Sequence, residues 1–255
     1  MTPLERISVV VLAAGRGTRF LDDPRYSGTH KTLIPVFGKP MSIFAYENSV
    51  TNLEDLPIAP IFVTSDEIVE DVDAFKEQVF SVIPEEDGVR VFVQGGYVNG
   101  PAATSKLLYN QLRDQAPILF VNADQYVKGS YKEALLEVIE SDDLDGALFC
   151  FTSSEDRYSY VSVDSNMIAT DMVEKQVVGD KASTGICFWK TAKDYFESIE
   201  LVDKEPGEEL FISNVHAAAI AAGKKFKVFM VDAFIDLGTP ADLDLLEERW
   251  EAISE

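Results

Sequence analysis

Five short apolar runs limit this chain more than any other feature. Residues 7–12 (ISVVVL), 59–64 (APIFVT), 89–94 (VRVFVQ), 117–126 (PILFVNADQY) and 146–152 (GALFCFT) are too short for most helices, and they are largely apolar throughout instead of alternating. A strand with apolar side chains on both faces has to be covered on both faces, which is the situation of a parallel sheet between helices. The stretches between several of the runs have helical spacing: 66–80, 102–112 and 131–140. This βαβ rhythm predicts an α/β three-layer sandwich with a mixed, mostly parallel sheet.

The pattern changes after residue 157. Short alternating runs flank Asp164-Ser165-Asn166 and predict a hairpin. A strand at 184–189, helices near 191–199 and 208–222, a strand at 225–231 and a helix opening at Pro240 complete the expected order. No low-complexity linker divides the chain, so 255 residues are read as one domain, 1–255. Residues 1–125 are expected to bind nucleotide, and 126–255 to bind a second substrate.

The first run ends in Ala13-Ala14-Gly15-Arg16-Gly17-Thr18-Arg19-Phe20. Small residues after a buried strand let a ligand approach backbone amides, a common phosphate site. Arg16 and Arg19 add cations able to hold a phosphate by paired hydrogen bonds. The P-loop string Gly-x-x-x-x-Gly-Lys is absent, and Phe20 stands where the dinucleotide fingerprint needs its third glycine.

Net charge is −22, which argues against nucleic acid and anionic membranes as partners. It also sets a condition on any phosphate ligand. Two unit charges 4 Å apart repel by about 4 kcal/mol at an effective dielectric of 20, so cations must be concentrated locally. Five of the 22 basic residues, Arg16, Arg19, Arg25, Lys31 and Lys39, fall within residues 16–39. Cys150 and Cys187 sit far apart in apolar runs and read as buried thiols of a reducing compartment. The opening "MTPLERISVV" runs directly into the first strand, and no segment has the length of a membrane span. Both points predict a cytoplasmic protein.

Several segments, in order, resemble the sugar-phosphate nucleotidylyltransferases. They are "LAAGRGTRF" (12–20), "HKTLIPVFGKPM" (30–41), "VQGGYVNGPAATSKLL" (93–108), "VNADQYV" (121–127), "MVEKQ" (172–176), "ASTGICFW" (182–189) and "FIDLGTPADL" (234–243). The resemblance implies a Rossmann-like nucleotidyltransferase fold and transfer of a nucleotidyl group from an NTP to a sugar 1-phosphate or related phosphomonoester. Pyrophosphate would leave, Mg²⁺ would be required, and the product would serve surface polysaccharide synthesis. By the same resemblance, Leu12, Ala13, Ala14 and Gly15 lie against base and ribose, and Gly17, Thr18 and Arg19 wrap the triphosphate. Gln94 and Gly100 address the base. Arg19, Lys31 and Lys175 are the catalytic cations. Tyr160, Glu174, Lys175 and Gly185 bind the second substrate, and Asp124 and Asp236 hold the metal. His30 and His216 lack ligand spacing and are read as structural or solvated.

Some positions depart from the family pattern. His30 replaces a proline, Ala123 a glycine, Gln176 a proline and Phe234 a tryptophan. Arg157-Tyr158-Ser159-Tyr160 stands for Arg-Tyr-Gly-Val, which argues against plain glucose 1-phosphate. A cytidylyltransferase for a non-sugar phosphomonoester and a non-catalytic nucleotide-sugar-binding relative remain as alternatives, and a homo-oligomer stays open. A glycosyltransferase would usually hold metal by Asp-x-Asp, whereas "NADQY" offers one aspartate.

Overall fold

The computed structural model describes residues 5–253 apart from 67–71, 84–87, 97 and 206. In chain order the strands and helices are β1 (Ile7–Leu12), β2 (Pro35–Val36), β3 (Lys39–Pro40), α1 (Met41–Val50), β4 (Ile58–Ser65) and α2 (Val72–Val82). Next come β5 (Arg90–Gln94), α3 (Pro101–Ser105), β6 (Ile118–Asn122), β7 (Gln125–Lys128), α4 (Tyr131–Glu140) and β8 (Gly146–Thr152). The remainder are β9 (Tyr160–Val163), β10 (Ala169–Val173), β11 (Lys181–Trp189), α5 (Ala192–Ile199), α6 (Ile212–Ala221), β12 (Phe226–Met230), β13 (Ala233–Asp236) and α7 (Pro240–Ile253).

Strands β6, β1, β4 and β5 run parallel, as the apolar runs require. In β1, Ile7, Val9 and Val11 enter the core beneath α1, α2 and α4, while Val10 faces the core beneath α3, α5 and α6. This two-sided burial is why the run does not alternate. The sheet is mixed beyond β6, because β11 pairs antiparallel with β6, β8 and β9, and β12 adds parallel to β8. The architecture is therefore a three-layer α/β sandwich. Cys150 and Cys187 are buried free thiols in adjacent strands. No helix among the described residues is long and apolar enough to cross a membrane.

Two features of this sheet shape the site. First, β8 covers one edge of β11 along its length, so β6 and β9 share the other edge. Phe120 of β6 pairs with Cys187, and Tyr160 of β9 pairs with Ala182. Between those pairs the β11 register slips, and Gly185 sits in the slip at φ +83°. A gap opens there between β6 and β9. Second, the expected strand 117–126 is two strands. The chain breaks at Ala123-Asp124, and β7 leaves the main sheet to pair antiparallel with β13. That ribbon packs with α7, Phe20 and Phe44 into a third apolar cluster.

Other expectations are trimmed. The helix over 102–112 is α3 followed by a 3-10 turn at Lys106–Leu108, and α6 starts at Ile212, not at 208. Residues 67–71 of the helix expected over 66–80 lie outside the described residues, and α2 covers Val72–Val82. The hairpin turn forms as read, with Asp164 Oδ1 accepting from the Asn166 and Ile168 amides.

Candidate active site

A cleft of about 350 Å³ lies at the carboxyl ends of β1 and β6, where open α/β sheets present ligand sites. Its nearest wall is the loop after β1. Ala13 still bonds to the sheet, its amide donating to the Val63 carbonyl at 2.8 Å. Gly17 then turns at φ +62°, and a Cβ there would come within 2.8 Å of Lys31 Cγ. The glycine thus gives the Lys31 side chain room to pass. Phe20, buried in the third cluster, anchors the 3-10 turn Thr18–Phe20.

His30 fastens this loop to the next. Nδ1 accepts from the Thr32 amide, so Nε2 carries the proton and donates to the Gly15 carbonyl at 2.9 Å. Burial pushes His30 down to about 4, which keeps the ring neutral as this arrangement requires. The next residue, Lys31, reaches the cleft, and its Nζ lies 2.6 Å from Asp124 Oδ2.

Asp124 occupies the break between β6 and β7, and Asp236 ends β13. Because Asp236 pairs in register with Gln125, residues 112 positions apart become neighbours, and the Leu237 amide donates to the Asp124 carbonyl at 2.9 Å. Asp236 Oδ1 accepts from the Gly238 amide at 3.0 Å, and Oδ2 lies 3.4 Å from Arg157 Nη1. Burial, followed by the negative charges of Asp124 and Asp242, pushes Asp236 up to about 6 despite Arg157. Arg19 lies across the same corner: a Cβ on Gly238 would be 3.3 Å from its Nη1.

Leu12, Ala14, Gly15, Arg19, Lys31, Gly100, Asp124, Gly185 and Asp236 all line the cleft. Gly100 stands at φ +107°, where a Cβ would strike the Leu210 carbonyl oxygen at 2.4 Å. Ala13, Gly17 and Thr18 lie outside the lining; Ala13 is buried, and Thr18 opens the turn that carries Arg19. Gln94 is buried at the end of β5, donates from Nε2 to the Gly96 carbonyl at 3.0 Å, and is not part of the lining. Glu174 lines an adjoining side pocket and accepts from the Ser159 and Ser213 hydroxyls. Lys175, at φ +51°, rests its ammonium 4.3 Å from the centre of the Phe211 ring and lines neither the cleft nor the side pocket.

The expectation for Tyr160 is corrected. Its side chain is fully buried, its hydroxyl donates to the Glu155 carbonyl at 2.8 Å, and it lines neither the cleft nor the side pocket. As the first residue of β9 it faces inward, and Tyr158 and Ser159 take the places at the cleft. Of the two residues that argued against a plain hexose, Tyr160 is therefore outside the cleft and Ser159 lines it. Arg157, Asn122 and Phe211 were not anticipated as lining residues. Asn122 had a readable sign: it lies two positions before Asp124 at the end of a strand.

Two carboxylates with hard oxygens, one of them resisting ionisation because it is buried and, second, because the other is close, match the donor set of a divalent cation such as Mg²⁺. Among the described residues no group of three or more His, Cys, Asp or Glu side chains could hold a metal, so water and phosphate oxygens would complete the shell.

Known structures share this fold. A nucleoside-diphosphate-sugar pyrophosphorylase from Vibrio cholerae RC9 superposes with a TM-score of 0.75 at 20% identity, over 94% of this chain and all of the other. The inositol-1-phosphate CTP transferase from T. maritima gives 0.69 at 18% identity, over 98% of each chain. A UDP-glucose pyrophosphorylase complexed with UDP-glucose gives 0.72 at 15%, over 97% and 99%. No curated protein matches the chain. The sequence model of the nucleotidyl transferase family matches residues 8–250, nearly the whole length, and the chain belongs to that family.

Proposed function

We propose that this nucleotidyl transferase is a Mg²⁺-dependent sugar-phosphate nucleotidylyltransferase. It joins an NTP to a sugar 1-phosphate or a similar phosphomonoester and releases pyrophosphate. The reading is carried by one observation: Arg19, Lys31, Asp124 and Asp236 converge on one cleft at the carboxyl edge of the sheet in a chain of this family. In the reaction an oxygen of the acceptor phosphate attacks the α-phosphorus. The bond from that phosphorus to the bridging oxygen of the β-phosphate breaks, and pyrophosphate leaves with the electron pair. No covalent enzyme intermediate is needed, so the work is positioning and charge neutralisation.

In this reading the loop 12–19 holds the nucleotide. Leu12, Ala14 and Gly15 offer a flat wall to base and ribose, and Gly100 lets the opposite backbone come close. Arg19 and Lys31 neutralise triphosphate oxygens. Lys175 neutralises the acceptor phosphate from the other side. Asp124 and Asp236 would hold Mg²⁺, which when bound offsets repulsion between the two phosphates and polarises the phosphorus. The product is an activated donor of the kind polysaccharide assembly consumes. The test is a matrix of four NTPs against sugar 1-phosphates, inositol 1-phosphate and choline phosphate, read by pyrophosphate release. Release with at least one sugar phosphate, abolished by EDTA, is expected. Binding of a nucleotide sugar without release for any pair would instead support a non-catalytic relative.

A further inference from the structure

Arg157 lines the cleft from the loop between β8 and β9, the segment that also supplies Tyr158 and Ser159. Aromatic packing seats its guanidinium. The central carbon lies 4.8 Å from the centre of the Tyr158 ring, and that ring stands 5.0 Å from Phe151 and 5.9 Å from Phe234. Phe234 lies two positions before Asp236 on β13. The strand that carries this carboxylate therefore also carries part of the seat of the cation.

Three carboxylates share Arg157. Its Nη1 lies 3.4 Å from Asp236 Oδ2 and 3.4 Å from Asp242 Oδ1, and its Nε lies 2.9 Å from Glu155 Oε2. Closely bonded charged pairs sit at about 2.7–2.9 Å, so Arg157 bridges Asp236 and Asp242 without being closed on either. Asp242 is held separately, its Oδ2 accepting from the Thr239 hydroxyl at 2.6 Å. Asp236 Oδ1 takes the Gly238 amide, and Oδ2 is the oxygen nearest the guanidinium. A cation arriving on Asp236 thus meets Arg157 beside it, and Arg157 has Asp242 and Glu155 to stay with. Asp124 is matched in the same way by Lys31. Each of the two carboxylates has its own cation before anything binds.

A fixed positive charge at this distance has two opposed effects on a divalent ion. It repels the ion, and water screens the repulsion incompletely, because the Asp236 and Arg157 side chains are only 20% and 34% exposed. It also orients the carboxylate, which favours the ion. The second effect is the smaller here, since the Gly238 amide and the pairing of β13 with β7 already fix Asp236. Repulsion wins for a bare ion. A triphosphate in the cleft changes the balance, because its negative charge offsets the guanidinium and draws the ion.

We propose that Arg157 is a positioning residue that acts on the metal through Asp236: it disfavours a bare divalent ion at Asp124 and Asp236, and so makes retention of the ion depend on bound triphosphate. This rests on the metal reading of those two carboxylates given above.

The experiment measures Mn²⁺ binding to the full chain, without turnover. Electron paramagnetic resonance counts the free ion, and water-proton relaxation separates protein-bound Mn²⁺ from Mn²⁺ held by NTP in solution. Without nucleotide, Arg157→Met should bind Mn²⁺ about 10-fold tighter than the parent, the order expected when one nearby like charge is removed. Arg157→Gln should follow it, which keeps the test readable if the methionine variant does not fold. Arg157→Lys, which keeps the charge, should stay with the parent. With at least one of the four NTPs present, the gap between the parent and the neutral variants should close. A role confined to holding the loop predicts the opposite sign, weaker binding in both neutral variants. Equal or weaker binding in those variants, while Asp236→Asn still removes the Mn²⁺ site, overturns the proposal and leaves the metal reading standing. A gap that no NTP narrows also overturns it. Mn²⁺ binding that survives both Asp124→Asn and Asp236→Asn, or that is missing alone and with every NTP, removes the metal reading and the role of Arg157 with it.

Discussion

Asp236 is held in a place that disfavours its charge. Its native pKa is raised to about 6, above the ordinary value of 3.8, so between those values the native state binds more protons than the unfolded chain. The contribution to stability is present at low pH and is lost as pH rises through 6. Asp236→Asn should therefore melt a few degrees higher than the parent in EDTA at pH 7.5, and the advantage should shrink as pH falls toward 4. A scan of melting temperature against pH checks both signs. The same substitution should cut kcat by roughly 10²–10³, the order expected when a preorganised electrostatic contact is lost. Asp124→Asn should behave alike in turnover, and the double variant should be little worse than either single one because in the proposed reading both hold the same ion. Stopped assays of pyrophosphate release with the three variants would show whether the losses multiply, which would separate the roles of the two residues.

Secondary-structure elements position these residues through a few joints. His30 ties the β1 loop to the turn that carries Lys31, and it does so only while neutral. With a native pKa near 4 and an unfolded value near 6.5, its contribution is full above 6.5 and is lost as pH falls toward 4. His30→Ala should flatten part of the acid limb of the melting curve and raise the NTP KM several-fold, as read by thermal scans and initial rates. Gly185 is a second joint. An alanine there would adopt a left-handed backbone, costing about 1–2 kcal/mol, and would press on Asn122, 2.1 Å from the added carbon. Gly185→Ala should lower the melting temperature and impair the acceptor KM more than the NTP KM. The parallel strands were legible in the sequence because two-sided burial suppresses alternation. The break at Ala123-Asp124 was not, because the polar residues Asn122, Asp124 and Gln125 read as the end of a single strand, and nothing local shows that β7 opens a different sheet. Tyr160 misled for a related reason: which face a residue at the start of β9 takes depends on pairing with β11, which no local spacing encodes.

Over the whole molecule, 44 acidic residues oppose 22 basic ones, and many of the acidic groups lie at the surface. Self-repulsion of that size is screened by salt. Raising NaCl from low to about 0.5 M should raise the melting temperature, because a Debye length of ~10 Å at 0.1 M shortens toward ~3 Å at 1 M. A fall on the same scan would mean that ion pairs such as Lys31–Asp124 outweigh the surface repulsion. The β7–β13 ribbon has a temporal consequence as well. Strands β1, β4, β5 and β6 can assemble from residues 7–122, and the loop after β1 with them. The second carboxylate docks only when Ala233–Asp236 emerges and zips onto Gln125–Lys128. On the ribosome, a nascent chain would thus form the loop after β1 early and bring its two carboxylates together only once β13 has emerged.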